Sequence, residues 1–148
     1  MIRAVIDVNV IVSAIIGPLG ASRQVLLHWE VGRFTSVTST GILAEVDTKL
    51  ALPRIARRYH LRPEDAAWVY RVLRTQSDFI EIPVEEERVV TGDPEDDYVL
   101  ATVRLGQADY LVTGDHGLLA LGHYARAMVL TPKDFLHQLP QKDGPAAE

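Results

Sequence analysis

Two kinds of apolar pattern alternate along this chain, and the alternation narrows its fold more than any other feature. Short runs rich in β-branched residues occupy positions 2–8, 34–38, 79–82, 110–113 and 127–130, and each has the length and composition of a buried strand. Between them, apolar residues recur at helical spacing. One such piece spans 10–16 before the Gly17-Pro18 stop, and a second runs from Ser22 through Val25, Leu26 and Trp29 to Gly32. A third, with Ser39 as its N-cap, carries Ile42, Leu43, Val46 and Leu50. Helices follow at 54–59, at 64–76 behind Pro63, at 94–105 with Gly106 as its stop, at 117–121 and at 132–139, while 84–92 reads as an acidic connection. Strand, helix and strand in repetition call for crossover connections, so the expected fold is a three-layer α/β/α domain around a mainly parallel central sheet. At 148 residues and 47% hydrophobic content the chain has apolar material for one core. Residues 1–139 are therefore read as one domain and 140–148 as a disordered tail.

In a domain of this kind ligands bind in the crevice beyond the carboxyl ends of the strands. Asp7 closes the first strand run and Asp115 follows the fourth, so both belong at that end. Glu45 lies on the third helix beside its apolar stripe, and Asp97 stands at the start of the helix at 94–105. Taking an ionised Asp out of water is costly unless it is paired or metal-bound, which puts Asp7 at the strand's mouth. If the four carboxylates converge, they repel one another until some bind protons or a divalent cation neutralises them. Without cysteine any metal ligand must be oxygen or imidazole, and His28, His60, His116, His123 and His137 lack the spacing of a metal pair. Mg2+ or Mn2+ is the cation that oxygen donors suit, and such a centre polarises a phosphate and activates a bound water.

Each acid also has a plainer reading. Asp7 fits an N-cap for the helix that follows, and Glu45 a solvated helix residue. Asp97 fits a first-turn charge favoured by the helix dipole, with Asp93 or Asp96 able to take its place as ligand. Asp115 fits a turn residue in Thr113-Gly114-Asp115-His116-Gly117. Trp29, Trp68 and Tyr70 stand at helical spacing with other apolar residues and read as core or helix-interface side chains.

A net charge of −5 gives no general electrostatic case for nucleic-acid binding, but its distribution is uneven. From Lys49 to Arg74 there are seven basic residues against two acids, and from Glu81 to Asp97 eight acids against Arg88 alone, which implies a basic side and an acidic pocket or edge. Arg54, Arg57 and Arg58 within the basic cluster fit phosphate contacts along an RNA strand as well as they fit a solvated helix face. No apolar run approaches the roughly 20 residues that span a bilayer, and the start lacks the features of a signal peptide, so the expectation is a soluble cytoplasmic protein with no membrane association.

Four segments, Asp7-Val8-Asn9-Val10, Ser39-Thr40-Gly41-Ile42-Leu43-Ala44-Glu45, the stretch from Asp93-Pro94-Glu95-Asp96-Asp97 to Thr102, and Leu111-Val112-Thr113-Gly114-Asp115, resemble in order the motifs of PIN-domain ribonucleases. The likeness extends over nearly the whole chain and is greatest to the VapC-type toxin branch of bacterial toxin–antitoxin pairs. It implies a PIN-like fold and a Mg2+- or Mn2+-dependent endoribonuclease that hydrolyses RNA phosphodiester bonds, restrained by a small antitoxin protein. By that likeness Asp7, Glu45, Asp97 and Asp115 are the catalytic and metal-binding acids. Asn9, Ser39 and Thr113 are polar supports, and Asp96 is the substitute ligand to watch. Homodimers are common in the family, and the apolar helical residues could serve one. Two positions depart from the pattern: Val8 stands where many members have Thr, and Gly41 suggests a looser helix start.

Two rival readings follow from the same residues. A haloacid-dehalogenase-like phosphatase would use Asp7 as nucleophile, but it needs a second Asp two residues on, where this chain has Asn9. A PIN-like module that binds RNA or protein without cutting is the other, and the intact acids weigh against it.

Overall fold

The computed structural model describes residues 1–17, 20–83 and 93–140. The acidic connection at 84–92 and the tail from 141 onward, both read from the sequence, lie outside the described residues. Six strands form one sheet: β1 (Arg3–Ile6), β2 (Thr35–Ser39), β3 (Ser77–Ile80), β4 (Tyr110–Val112), β5 (His123–Tyr124) and β6 (Ala127–Leu130), in the order β3-β2-β1-β4-β6-β5. Every neighbouring pair is parallel except β5 with β6. The helices are α1 (Val8–Ile16), α2 (Ala21–Glu30), α3 (Thr40–Leu50), α4 (Pro53–Tyr59), α5 (Pro63–Thr75), α6 (Pro94–Leu105), α7 (His116–Leu119) and α8 (Pro132–Leu136). Among the described residues no single helix is long and apolar enough to cross a membrane.

Successive residues of a strand point to opposite faces, so consecutive buried positions mean that both faces are covered. Ala4 and Val5 are fully buried in β1 and Ile6 is 3% exposed, which is the burial that helices on either side of a sheet produce. The architecture is thus three layers, as the alternating pattern requires. Trp29 of α2 is buried and donates its indole N–H to the carbonyl of Gln76 at 2.9 Å, locking α2 to the end of α5. Phe34 and Phe135 meet edge to face at 5.1 Å between ring centres, which ties α8 to the start of β2.

The differences from the sequence reading are local. β1 stops at Ile6 because Val8 already belongs to α1, leaving Asp7 as the whole junction. β3 begins two residues earlier than its apolar run, since Ser77 and Asp78 pair in register with Ser36 and Val37. The β5–β6 hairpin has too few residues to show any alternation, and Ala125 turns it with a φ of 51°.

Gly106, at the end of α6, is held to be Gly by packing. A Cβ there would collide with Val37 Cγ1 and lie 2.7 Å from the carbonyl oxygen of Thr102. Its own carbonyl accepts the Arg3 guanidinium at 2.9 and 3.1 Å, so the backbone has no room to retreat without losing those bonds. Gly106→Ala is expected to destabilise the fold by about 1–3 kcal/mol, as overpacking does. Urea unfolding measures it, and an unchanged midpoint would contradict this account of the contact.

Candidate active site

The strand order reverses beside β1: β2 and β3 lie on one side of it, β4, β6 and β5 on the other. Connections leave such a switch point in opposite directions and open a crevice at the carboxyl ends of the two strands. Asp7 stands at that crevice. Its backbone N–H extends the β1–β4 pairing to the carbonyl of Val112 at 2.9 Å, and its side chain is buried. It occupies the N-cap position of α1, but its side chain makes no capping hydrogen bond to the helix. The carboxylate turns instead toward β4, where Thr113 donates its hydroxyl to Asp7 Oδ2 at 2.7 Å.

Thr113 in turn accepts the backbone N–H of Asp115 at 3.0 Å, and Asp115 Oδ2 accepts Leu118 N–H at 2.9 Å. Asp115 therefore caps α7, a role the plain turn reading did not include, while its charge still acts on Asp7. Burial pushes the pKa of Asp7 above the ordinary carboxylate value, and the like charge of Asp115 adds to the rise. The hydrogen bond from Thr113, the nearby backbone of Val8 and the positive charge of Lys49 pull the other way.

The second wall comes from α3 and α6. Asp7, Val8, Asn9, Glu45, Lys49, Asp96, Tyr98 and Val99 line one small cavity of about 20 Å3. A water needs roughly 10–15 Å3. The space thus suits an ion or one or two waters and excludes a base or sugar, so any nucleic acid must present its phosphate from outside. Asp97 lies between two lining residues in the first turn of α6 and is 9% exposed. Its N–H bonds to the carbonyl of Asp93 at 2.9 Å, which starts the helix.

Ser39 and Gly41 explain how α3 and α6 keep their spacing. Thr102 gives its hydroxyl proton to the carbonyl of Tyr98 at 2.7 Å, so the 3.0 Å contact between Ser39 and Thr102 has Ser39 as donor. Ser39, read from the sequence as an N-cap, makes no capping bond, and it braces α6 instead. A Cβ on Gly41 would stand 3.0 Å from the Tyr98 ring. The absent side chain lets that ring close against α3, which gives Gly41 a packing role beside the looser helix start inferred from it.

The structure thus gathers Asp7, Asn9, Glu45 and Asp96 around one space, with Thr113 and Asp115 linked to it through Asp7. Among the described residues, no group of three or more His, Asp or Glu side chains stands together so as to hold a metal ion. Mg2+ does not require one, because it keeps several waters and binds through one or two protein carboxylates plus substrate phosphate. An all-oxygen set of Asp7, Asn9, Glu45 and Asp96 fits such a hard cation. Lys49 is the residue sequence reasoning missed here. In the sequence it stands at the head of the basic cluster, and its place four residues after Glu45, one helical turn on, is the signal that sets it apart.

The rest of the basic cluster divides. Arg62 pairs with Glu64 and Asp65 at 3.5 and 3.7 Å, Arg71 reaches Glu30 at 3.5 Å, and Arg74 stacks over Tyr70. Arg54, Arg57 and Arg58 lie exposed on α4, immediately beyond the end of α3.

Because the folded protein holds the Asp7 proton more tightly than the unfolded chain does, the ionised Asp7 subtracts from stability. The penalty is absent below the ordinary value of 3.8 and grows as pH rises through the raised folded value. Asp7→Asn should therefore raise stability at neutral pH in chelator, with the gain vanishing in acid. Thermal melts across pH measure this, and a neutral-pH loss would contradict the burial penalty.

No curated protein matches the chain. Residues 3–117 match the PIN domain family, a span that holds every acid discussed above. PIN domains are typically nucleases and generally bind divalent metals. With most of its length inside that match, and with the parallel sheet and strand-end acids in place, the chain belongs to the PIN domain family.

Proposed function

We propose that this protein is a divalent-metal-dependent endoribonuclease, with Asp7, Glu45, an Asp of α6 and Asp115 as its acidic centre. The observation that carries the proposal is the convergence of Asp7, Asn9, Glu45 and Asp96, from three separate elements, on one ion-sized cavity at the strand switch point. When bound, Mg2+ or Mn2+ would supply Lewis-acid charge at the phosphate and activate the attacking water. Asp7 Oδ2 is held by the Thr113 hydroxyl, and the residue lines the cavity. Asn9 offers an uncharged oxygen or amide at the rim, which binds without adding to the repulsion among the acids. Ser39, through Thr102 and the Tyr98 carbonyl, keeps the start of α6 against α3, and so sets how far Asp96 and Asp97 stand from Glu45. Asp115 is fixed by the α7 backbone and contributes charge at the far side of Asp7.

The resemblance of the four motifs to VapC-type toxins supports a cytoplasmic toxin whose partner is a small antitoxin. The test is cleavage of a mixed RNA pool by the wild type, Asp7→Asn, Asp96→Asn and Asp97→Asn, with and without chelator. Loss of a ligand should lower the rate at least ~100-fold, beyond the roughly 10–100-fold that outer supporting residues are worth. Comparing Asp96→Asn with Asp97→Asn tells which Asp of α6 is the ligand. Cutting that survives both Asp7→Asn and Asp97→Asn, or that ignores chelator, refutes the assignment.

Arg54, Arg57 and Arg58 are the proposed contacts to the RNA backbone, standing where a strand leaving the cavity past the end of α3 would run. Replacing Arg54 or Arg57 with Ala should weaken binding by a similar factor for all sequences. Each should also flatten the slope of log affinity against log salt by about 0.7, the single-strand value per phosphate. An unaltered slope would place the RNA on another face.

A further inference from the structure

The cavity at the switch point has a cationic side chain in its own lining. Of the described residues that line it, Asp7, Glu45 and Asp96 carry negative charge and Lys49 carries the positive one. Glu45 and Lys49 are four apart on α3, with Glu on the N-terminal side, the favourable order for an ion pair along a helix. The Lys49 charge is felt across the cavity at Asp7 on β1's end. Three carboxylates around a space of about 20 Å3 would repel strongly if they were left alone, and one tethered ammonium offsets part of that repulsion.

The same geometry sets up a competition. A space with room for about one or two waters cannot hold an ammonium and a dication in contact without direct repulsion between them. Lys49 is half-buried, and its side chain is a flexible four-carbon stem, so the ammonium can leave toward solvent while α3 stays in place. Asp7 has no such freedom, being held by Thr113 and the end of β1. The carboxylates thus stay and the cation exchanges.

We propose that Lys49 is a tethered counter-cation of this cavity, which neutralises the acids in the metal-free protein and is displaced when a divalent metal enters. This rests on the metal-centre reading given above. It adds a function for Lys49: the lysine keeps the acidic site intact without metal and raises the metal concentration at which the site loads.

The test measures Mn2+ binding by calorimetry, with no RNA present, for the wild type, Lys49→Met, Lys49→Gln and Lys49→Arg, each checked for folding by circular dichroism. Both neutral variants should bind Mn2+ about tenfold more tightly, toward the lower end of the roughly 5–150-fold couplings seen between linked sites. Lys49→Arg should stay close to the wild type. Wild-type Mn2+ binding that both neutral variants leave unchanged or weaken overturns the counter-cation while leaving the metal centre standing. Tightening in Lys49→Arg equal to that in the neutral variants also overturns it, because charge would then not be the cause. Should neither the wild type nor the neutral variants bind Mn2+, the metal-centre reading falls and the proposal with it.

Discussion

The hydrogen bond from Thr113 to Asp7 joins the two strands between which the sheet reverses direction, and the rest of the site is arranged around it. Asp7 is buried at the end of a central strand, where an ionised carboxylate is poorly solvated and must be satisfied by the protein or by a bound cation. Thr113 provides one bond and, by accepting the Asp115 N–H, transmits the position of Asp7 to the start of α7. A short chain of hydrogen bonds therefore holds in place the one acid whose location is set directly by the sheet.

The opposite wall depends on side chains with no charge. Ser39 and Thr102 connect the end of β2 to α6, and the missing Cβ of Gly41 lets Tyr98 lie against α3. These contacts set the distance between Glu45 on one helix and Asp96 and Asp97 on the other. Behind them Ile42 of α3 and Val99 and Leu100 of α6 are buried in the core and anchor both helices.

Charge is also sorted by location. The sequence places seven basic residues between Lys49 and Arg74, yet the fold uses them in different ways. Arg62 is tied to the first turn of its own helix, Arg71 is paired with Glu30, and Arg74 is stacked on an aromatic ring. Lys49 lines the same cavity as Asp7, Glu45 and Asp96, whereas Arg54, Arg57 and Arg58 are exposed on the helix that follows. A single cluster in sequence is thus divided among helix-end pairing, the lining of the cavity and the solvent-exposed surface of α4.

The layer architecture and the α6 boundaries were legible in the sequence because strand and helix periods are local properties, set by residues within one or two turns of each other. The same holds for placing Asp7 and Asp115 at strand ends. The β5 strand was not legible, since two residues cannot display a period. Nor was the role of Ser39, because a Ser before a helix reads as a cap until its distant partner Thr102 is known. Residue type and spacing determined that acids would gather at the carboxyl edge of a parallel sheet. Which side chains face the same few cubic ångströms, with Lys49 and Asp96 among them, was decided only by packing α3 against α6 across the sheet, since contacts between residues some fifty positions apart leave no periodic trace in the chain.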